Sequence, residues 1–217
     1  MSAREEILQR VRAGLAKPDA AGRRAAAEAH LAAPRHWPQP VLGDDLAGRF
    51  AARAASLAST VERVAGRGDV PAALARYLAA QGLAPQAVAT ADVATLDWPG
   101  AGISIAVRPA EDADAVGITG CFCAIDETGT LMLLSGPETP ASVSLLPETH
   151  VALVPLGRIV ATMEDAFALL AAKRPGILPR AVNFISGPSR TGDIEQTIVL
   201  GAHGPCRVHL ILHGDSS

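Results

Sequence analysis

Aromatic side chains are scarce in this chain: four Phe, two Trp and one Tyr make up 3% of it. A core must therefore be built from Ala, Val, Leu and Ile within a composition that is 49% hydrophobic. Such small and branched side chains let helices pack closely on sheets. Cysteine is rare as well. Three thiols, Cys121, Cys123 and Cys206, are too few and of the wrong parity for a disulfide framework, which points to a reduced, cytoplasmic setting. A C-x-C pair with one distant third thiol matches zinc spacings poorly, so the thiols read as buried and inert, and no metal is expected. Basic charge shows no excess: 19 Lys and Arg against 22 Asp and Glu give a net charge of −3 and a pI of about 6.1. Without a clustered basic face, a nucleic-acid partner is not expected. No apolar run reaches the length of a membrane span, and the charged start MSAREEILQR lacks the apolar segment of a secretory signal.

The 217 residues suffice for one main core with an appendage. We read residues 1–40 as an N-terminal helix and linker, and 41–217 as an α/β domain. Ser2 to Glu5 forms a capping box, and Ile7, Leu8, Val11 and Leu15 follow at helical spacing until Lys17-Pro18. This helix docks either on another chain or on its own domain. From there to about Pro40 the chain is rich in Ala, Arg and Pro with little periodicity, and reads as a linker. A second helical pattern starts at Asp44, with Leu46, Phe50, Leu57 and Val61 on one face, and Gly66 and Gly68 break it or a strand after it. A third starts at Asp69-Val-Pro71 and runs to Gly82. Short apolar strands are expected at 87–90 and 103–107. Helices alternating with almost wholly apolar strands predict a mostly parallel sheet flanked by helices.

The middle segment, AVGITGCFCAIDETGTLMLL (115–134), has neither a dinucleotide fingerprint nor the Lys of a phosphate loop. Its ETGT piece reads as a turn between two apolar strands, with Gly129 supplying the unusual backbone. Glu127 is then a carboxylate at a strand end, either a general base or nucleophile, or simply solvated. A strand is expected at 151–156. Thr162 and Asp165 should cap a helix whose buried face is Met163, Ala166, Phe167 and Leu170.

The stretch from Asn183 to His209 carries the densest polar chemistry. A short apolar strand at 182–185 gives way to SGPSRTGD, then to an expected helix, then to a Gly-Pro turn and a last apolar run. Loops on a rigid scaffold concentrate binding residues. Ser186, Gly187, Ser189, Arg190 and Thr191 are the candidate ligand-binding residues, with Asp193 and Glu195 beside them. The stretch is either a site for a small anion or a polar turn. Arg190 either grips a carboxylate through its planar fork or pairs with a neighbouring acid. A helix N-terminus near Asp193 would add partial positive charge. His203 is the candidate acid/base, since imidazole titrates near neutrality; the alternative is a turn histidine bonded to backbone. His209 and His213 lie on one strand face about 13 Å apart, too far to share a metal, and read as solvent-facing.

With GITG (117–120), ETGT (127–130), SGP (135–137), SLLP (144–147), SGPSRTGDIE (186–195) and GAHGP (201–205) in view, the chain resembles the lactate-utilisation protein C family, single-domain proteins of the LUD type. The resemblance is strong over 115–213 and loose before that. It implies a fold akin to the sugar-phosphate isomerase and coenzyme A transferase group. It also implies a place in L-lactate oxidation to pyruvate beside two partner proteins bearing iron–sulfur clusters, with this chain as the subunit that carries no cluster and no other cofactor. The chain departs from its relatives near Phe122, where they often carry an acidic residue, and at Asp126, where they carry Ala.

Two functions follow as expectations. One is a cluster-free subunit of a lactate-oxidising assembly that binds a small carboxylate. The other is a stand-alone enzyme of the acyl or coenzyme A transfer or sugar-phosphate isomerase type. In the second, Glu127 acts as nucleophile or base, His203 as acid/base, and backbone near Gly187 and Gly201 as oxyanion donor.

Overall fold

The computed structural model describes residues 2–15, 19–32, 43–194 and 197–214. The expected stop at Lys17-Pro18, the linker at 33–40 and Glu195 lie outside the described residues. The chain divides into two compact units, Met1–Gln39 and Pro40–Ser217.

The first unit holds α1 (Ala3–Leu15) and α2 (Ala20–Ala32). The capping box is formed as expected: Glu5 N donates to Ser2 Oγ at 3.3 Å and Ser2 N to Glu5 Oε2 at 2.7 Å. Helix α2 corrects the reading of residues 20–32 as linker. Asp19 caps it by accepting from Gly22 N at 2.8 Å, and the Arg24–Glu28 pair at 2.9 Å braces its surface. Alanine content drives this helix by propensity, with no apolar stripe to betray it.

In the second unit, α3 (Leu46–Ser56) starts where Asp45 Oδ1 accepts from Gly48 N; its C-cap Leu57 is followed by Ala58, which takes φ +67°. The chain turns there into β1 (Thr60–Gly66), so Val61 belongs to a strand rather than to the helix. Next come α4 (Val70–Ala80), β2 (Gln86–Ala89), β3 (Ser104–Val107), β4 (Val116–Thr119), β5 (Cys123–Ile125) and β6 (Thr130–Leu134). The short α5 (Ser142–Leu145) precedes β7 (Thr149–Pro155) and β8 (Ile159–Val160). Helix α6 (Met163–Lys173) carries the expected capping box, with Asp165 N donating to Thr162 Oγ1 at 3.2 Å. The chain closes with β9 (Val182–Ile185), β10 (Arg190–Ile194), β11 (Thr197–Leu200) and β12 (Arg207–Gly214).

Six strands form a wholly parallel sheet in the order β1-β12-β7-β4-β2-β3. This is the mostly parallel, helix-flanked sheet that the apolar strands predict. A second, four-stranded sheet, β8-β5-β6-β9, is largely antiparallel. Side-chain alternation stacks these sheets in layers. Val151, Leu153 and Ile211 point to α4, where Leu74, Leu78 and the buried Trp98 complete one core. Ala152, Val154, Leu210 and Leu212 point to the other face, meeting α3 and the Leu131 and Leu133 side of β6. The opposite side of β6, Met132 and Leu134, packs with Cys123 and Ile125 on Ala166 and Leu170 of α6. Phe167 departs from the expected buried face: it is exposed, tilted against Phe184 with ring centroids 6.0 Å apart.

Two further expectations are corrected. The segment after SGPS is not a helix but the antiparallel hairpin β10–β11, so no helix dipole stands near Asp193. His209 and His213 are buried, at 3% and 2% exposure, because β12 lies between β1 and β7 with both faces covered. His209 stacks flat on Tyr77, centroids 3.9 Å apart, and its Nδ1 meets Thr60 Oγ1 at 2.8 Å.

Candidate functional site

Open parallel sheets place ligands beyond the carboxyl ends of their strands, where the strand order reverses. Here β3 extends the sheet outward from β2, and β4 returns on the other side of β2. A pocket of about 220 Å³ opens at that point. Thr90 and Asp92 follow β2, Thr119 ends β4, and Gly120, Cys121 and Phe122 lead on to β5. The second sheet supplies Leu133, Leu134, Ser135 and Asn183 as a wall. Pro140, Ala141 and Ser144 close one side, and Arg158 and Arg174 stand on the pocket lining. Close packing is needed to bring these together: a methyl at Gly117 would overlap Val143 O of α5, and one at Gly120 would overlap Asp92 Oδ2.

The pocket's charges are unbalanced toward the positive. Arg158 donates only to Phe122 O, at 3.2 Å, and Arg174 makes no side-chain hydrogen bond or ion pair among the described residues. Asp92 Oδ1 accepts from Thr90 Oγ1 at 2.5 Å, and Arg67 holds the Asp92 backbone carbonyl at 2.8 Å. Cys121 is an inert wall: burial raises its thiol, neighbouring Cys123 and Asp92 add to this, and Arg158 opposes. Burial likewise pushes Cys123 up to about 11.

Behind Thr119 sits His150, fully buried, its Nε2 2.9 Å from Thr119 Oγ1 and its Nδ1 without a partner among the described residues. Burial pushes this imidazole down to about 4, so it is neutral at pH 7 with one N–H. A proton on Nδ1 would bury an unpaired donor, which is rarer in folded proteins than an under-used acceptor. The network therefore places the proton on Nε2, donating to Thr119. The Thr119 hydroxyl has no other hydrogen-bond partner among the described residues, so its own O–H is left to donate into the pocket.

The residues singled out in the sequence lie elsewhere. Glu127, in the ETGT turn with Gly129 at φ +64°, accepts from Met163 N at 3.0 Å through Oε1, at the start of α6. It borders an open concavity with Arg49, Arg53, Ser56 and Asp126. Asp126 is buried and paired with Arg49 of α3. Ser186 Oγ meets Thr130 Oγ1 at 2.7 Å, so the polar loop does touch the ETGT turn. Gly187, at φ +84°, lies so close to Leu57 O that a methyl would overlap it. Arg190 is exposed and reaches Leu57 O at 3.5 Å, while Thr191 is partly buried in β10. Ser189 N donates to Pro205 O at 2.8 Å, and Ser189 Oγ accepts from the His203 backbone at 3.3 Å. The His203 side chain is exposed, and no hydrogen bond or ion pair among the described residues joins Glu127, Arg190 and His203 to one another. Sequence reasoning missed Thr90, Asp92, Thr119, Arg158 and Arg174. The signal available was positional: small polar residues directly after apolar strands, in ATAD, GITG and LLSG.

The parallel sheet, with a cavity lined by two arginines at its switch point, defines an α/β protein with a candidate site at its strand ends. The LUD domain family model matches residues 48–213, most of the chain, and the chain belongs to this family. Lactate utilization protein C of Bacillus subtilis (strain 168) is 37% identical over 133 residues, 56% of this chain and 55% of that protein. The protein of the same name from Halalkalibacterium halodurans is 42% identical over 111 residues, 50% of this chain and 48% of its own. The chain thus spans about half the length of the curated relatives it matches. Among solved structures, a DUF162 family protein from Deinococcus radiodurans, whose crystal structure is at 1.70 Å resolution, superposes with a TM-score of 0.58. It is 23% identical and covers 81% of this chain and 100% of its own, a likeness of fold. Among the described residues, no helix is long and apolar enough to cross a membrane.

Proposed function

We propose that this chain serves L-lactate utilisation as a subunit without iron–sulfur clusters. In this reading it binds a small carboxylate or other anion at the strand-end pocket and assembles with partner proteins that carry the clusters. One observation carries the anion reading: two guanidiniums without carboxylate partners among the described residues, Arg158 and Arg174, line a pocket whose wall includes the buried hydroxyl of Thr119. Guanidinium forks recognise carboxylates through paired, charge-assisted bonds. The names of the relatives support lactate as the pathway. The reading of a stand-alone transferase or isomerase through Glu127 and His203 draws no such support, since the first carboxylate is bonded to the start of α6.

Reconstitution tests the proposal. Lactate-dependent electron transfer by the cluster-bearing partners is measured with this chain, without it, and with Arg158→Ala or Arg174→Ala. Omission of the chain should abolish or strongly slow the reaction, and each substitution should weaken it. A rate that does not change on omission overturns the assembly role.

A further inference from the structure

Helix α6 leaves one side of the second sheet only partly covered. Four strands at ~4.8 Å spacing lie about 14 Å apart from first to last, more than one helix about 10 Å wide can span. Ala166 and Leu170 of α6 sit on Cys123 and Ile125 of β5 and on Met132 and Leu134 of β6. Beyond them β9 is the edge strand, and its Phe184, paired with Met132, points to the same side. Phe184 remains 40% exposed and leans on Phe167 of α6, itself 48% exposed. The connection from α6 to β9 adds exposed Ile177 and Leu178. Two of only four Phe in the chain thus stand in an apolar surface of the kind that marks a protein–protein contact.

The outward stripe of α6 decides what fits there. Glu164, Phe167, Ala171 and Arg174 follow one another at steps of three, four and three residues. At about 100° per residue, they lie within about 80° of one another around the helix. The spacing reads the same in both directions. A second copy of α6, laid antiparallel about a twofold axis, therefore sets Phe167 against Ala171 of the other copy and Glu164 against Arg174 of the other copy, each contact occurring twice. A ring meets a methyl, and an acid meets a base. Glu164 and Arg174 form no ion pair or side-chain hydrogen bond among the described residues, so neither has a competing partner there. The positive N-terminal end of each helix also lies beside the negative C-terminal end of the other. We propose that this chain forms a twofold dimer through α6, with the Phe167 and Phe184 rings of both copies near its centre and Glu164–Arg174 pairs at either end. The second helix then covers the β9 side of the sheet that the first leaves open.

Sedimentation velocity of the full chain, from low to high micromolar concentration and without added ligand, tests this. Arg174 also lines the strand-end pocket, so association rather than ligand binding is the quantity measured. The wild type should move to twice the chain mass as concentration rises. Phe167→Glu, at an exposed position, should weaken association by at least about 100-fold, because the twofold axis brings each substitution into the interface twice. Glu164→Arg and Arg174→Glu should each weaken it about tenfold by setting like charges opposite one another. The double variant Glu164→Arg with Arg174→Glu should restore it, a rescue that a folding defect in either would not give. Thermal unfolding followed by circular dichroism checks that each variant is folded. A chain that stays monomeric throughout the range overturns the proposal, whatever else covers this face. So does a dimer indifferent to Phe167→Glu, or one that the charge exchange does not rescue.

Discussion

Two buried imidazoles should make this protein sensitive to mild acid. His150 and His209 are 0% and 3% exposed, and burial pushes each down from 6.5 to about 4, Glu62 and Thr60 partly opposing this at His209. In the unfolded chain each returns to its ordinary value. The sign follows directly. Between these two values the unfolded state binds more protons than the folded one, so stability is highest above pH 6.5 and falls as pH drops toward 4. At pH 5 the unfolded imidazole is almost wholly protonated and the folded one only about a tenth, a difference of about 2 kcal/mol per histidine. The pair together removes about 4 kcal/mol, a large share of a typical domain's stability. Asp114, held below the usual carboxylate range by its bond to Arg108, loses its contribution only below the ordinary carboxylate value of 3.8 and leaves this window clear. Urea unfolding at fixed ionic strength, followed by the fluorescence of buried Trp98, gives the measurement. With a slope of about 2 kcal/mol per M, the midpoint should fall by about 2 M between pH 7.5 and pH 5. His209→Phe, which keeps the stack on Tyr77, and His150→Gln, which keeps a donor to Thr119, should each remove about half of that shift. A midpoint unchanged across this range, or variants that retain the full wild-type pH dependence, would refute the reasoning.

Other outcomes follow from contacts in the fold. Arg49→Ala strands the buried carboxylate of Asp126, whose Oδ1 already lacks a partner among the described residues, and should cost about 3 kcal/mol in urea unfolding; Asp126→Asn should cost less. Gly117→Ala drives a methyl into the carbonyl of Val143 and should destabilise by about 1–3 kcal/mol while weakening carboxylate binding in the adjoining pocket. Glu127→Gln preserves an acceptor for Met163 N and should leave thermal stability nearly unchanged, whereas Glu127→Ala should lose about 1 kcal/mol. A larger loss of lactate-dependent activity in Glu127→Gln than in Arg174→Ala would favour chemistry at the ETGT turn over binding at the strand ends.

Local rules in the sequence were enough for much of the scaffold. The capping boxes at Ser2 and Thr162, the Gly129 turn and the alternation of apolar strands with helices each depend on neighbours a few residues away, and each stands where the spacing placed it. Helix α2 escaped because alanine propensity leaves no periodic stripe. The hairpin β10–β11 escaped because its polar segment reads equally as loop, strand or helix start. The two terminal histidines looked polar and therefore exposed, but the position of β12 inside the sheet, between strands distant in sequence, buried them. The pocket follows the same logic. Residues 90, 92, 119, 158 and 174 are separated by up to 84 positions, and only the crossing of β3 and β4 over β2 brings their strand ends and flanking loops to one cavity. The sequence determined the elements and the family to which they belong, because those are written in local patterns and motifs. Tertiary structure alone decided which charges share a cavity and which stay apart, because that depends on strand order, and strand order is a property of the whole chain.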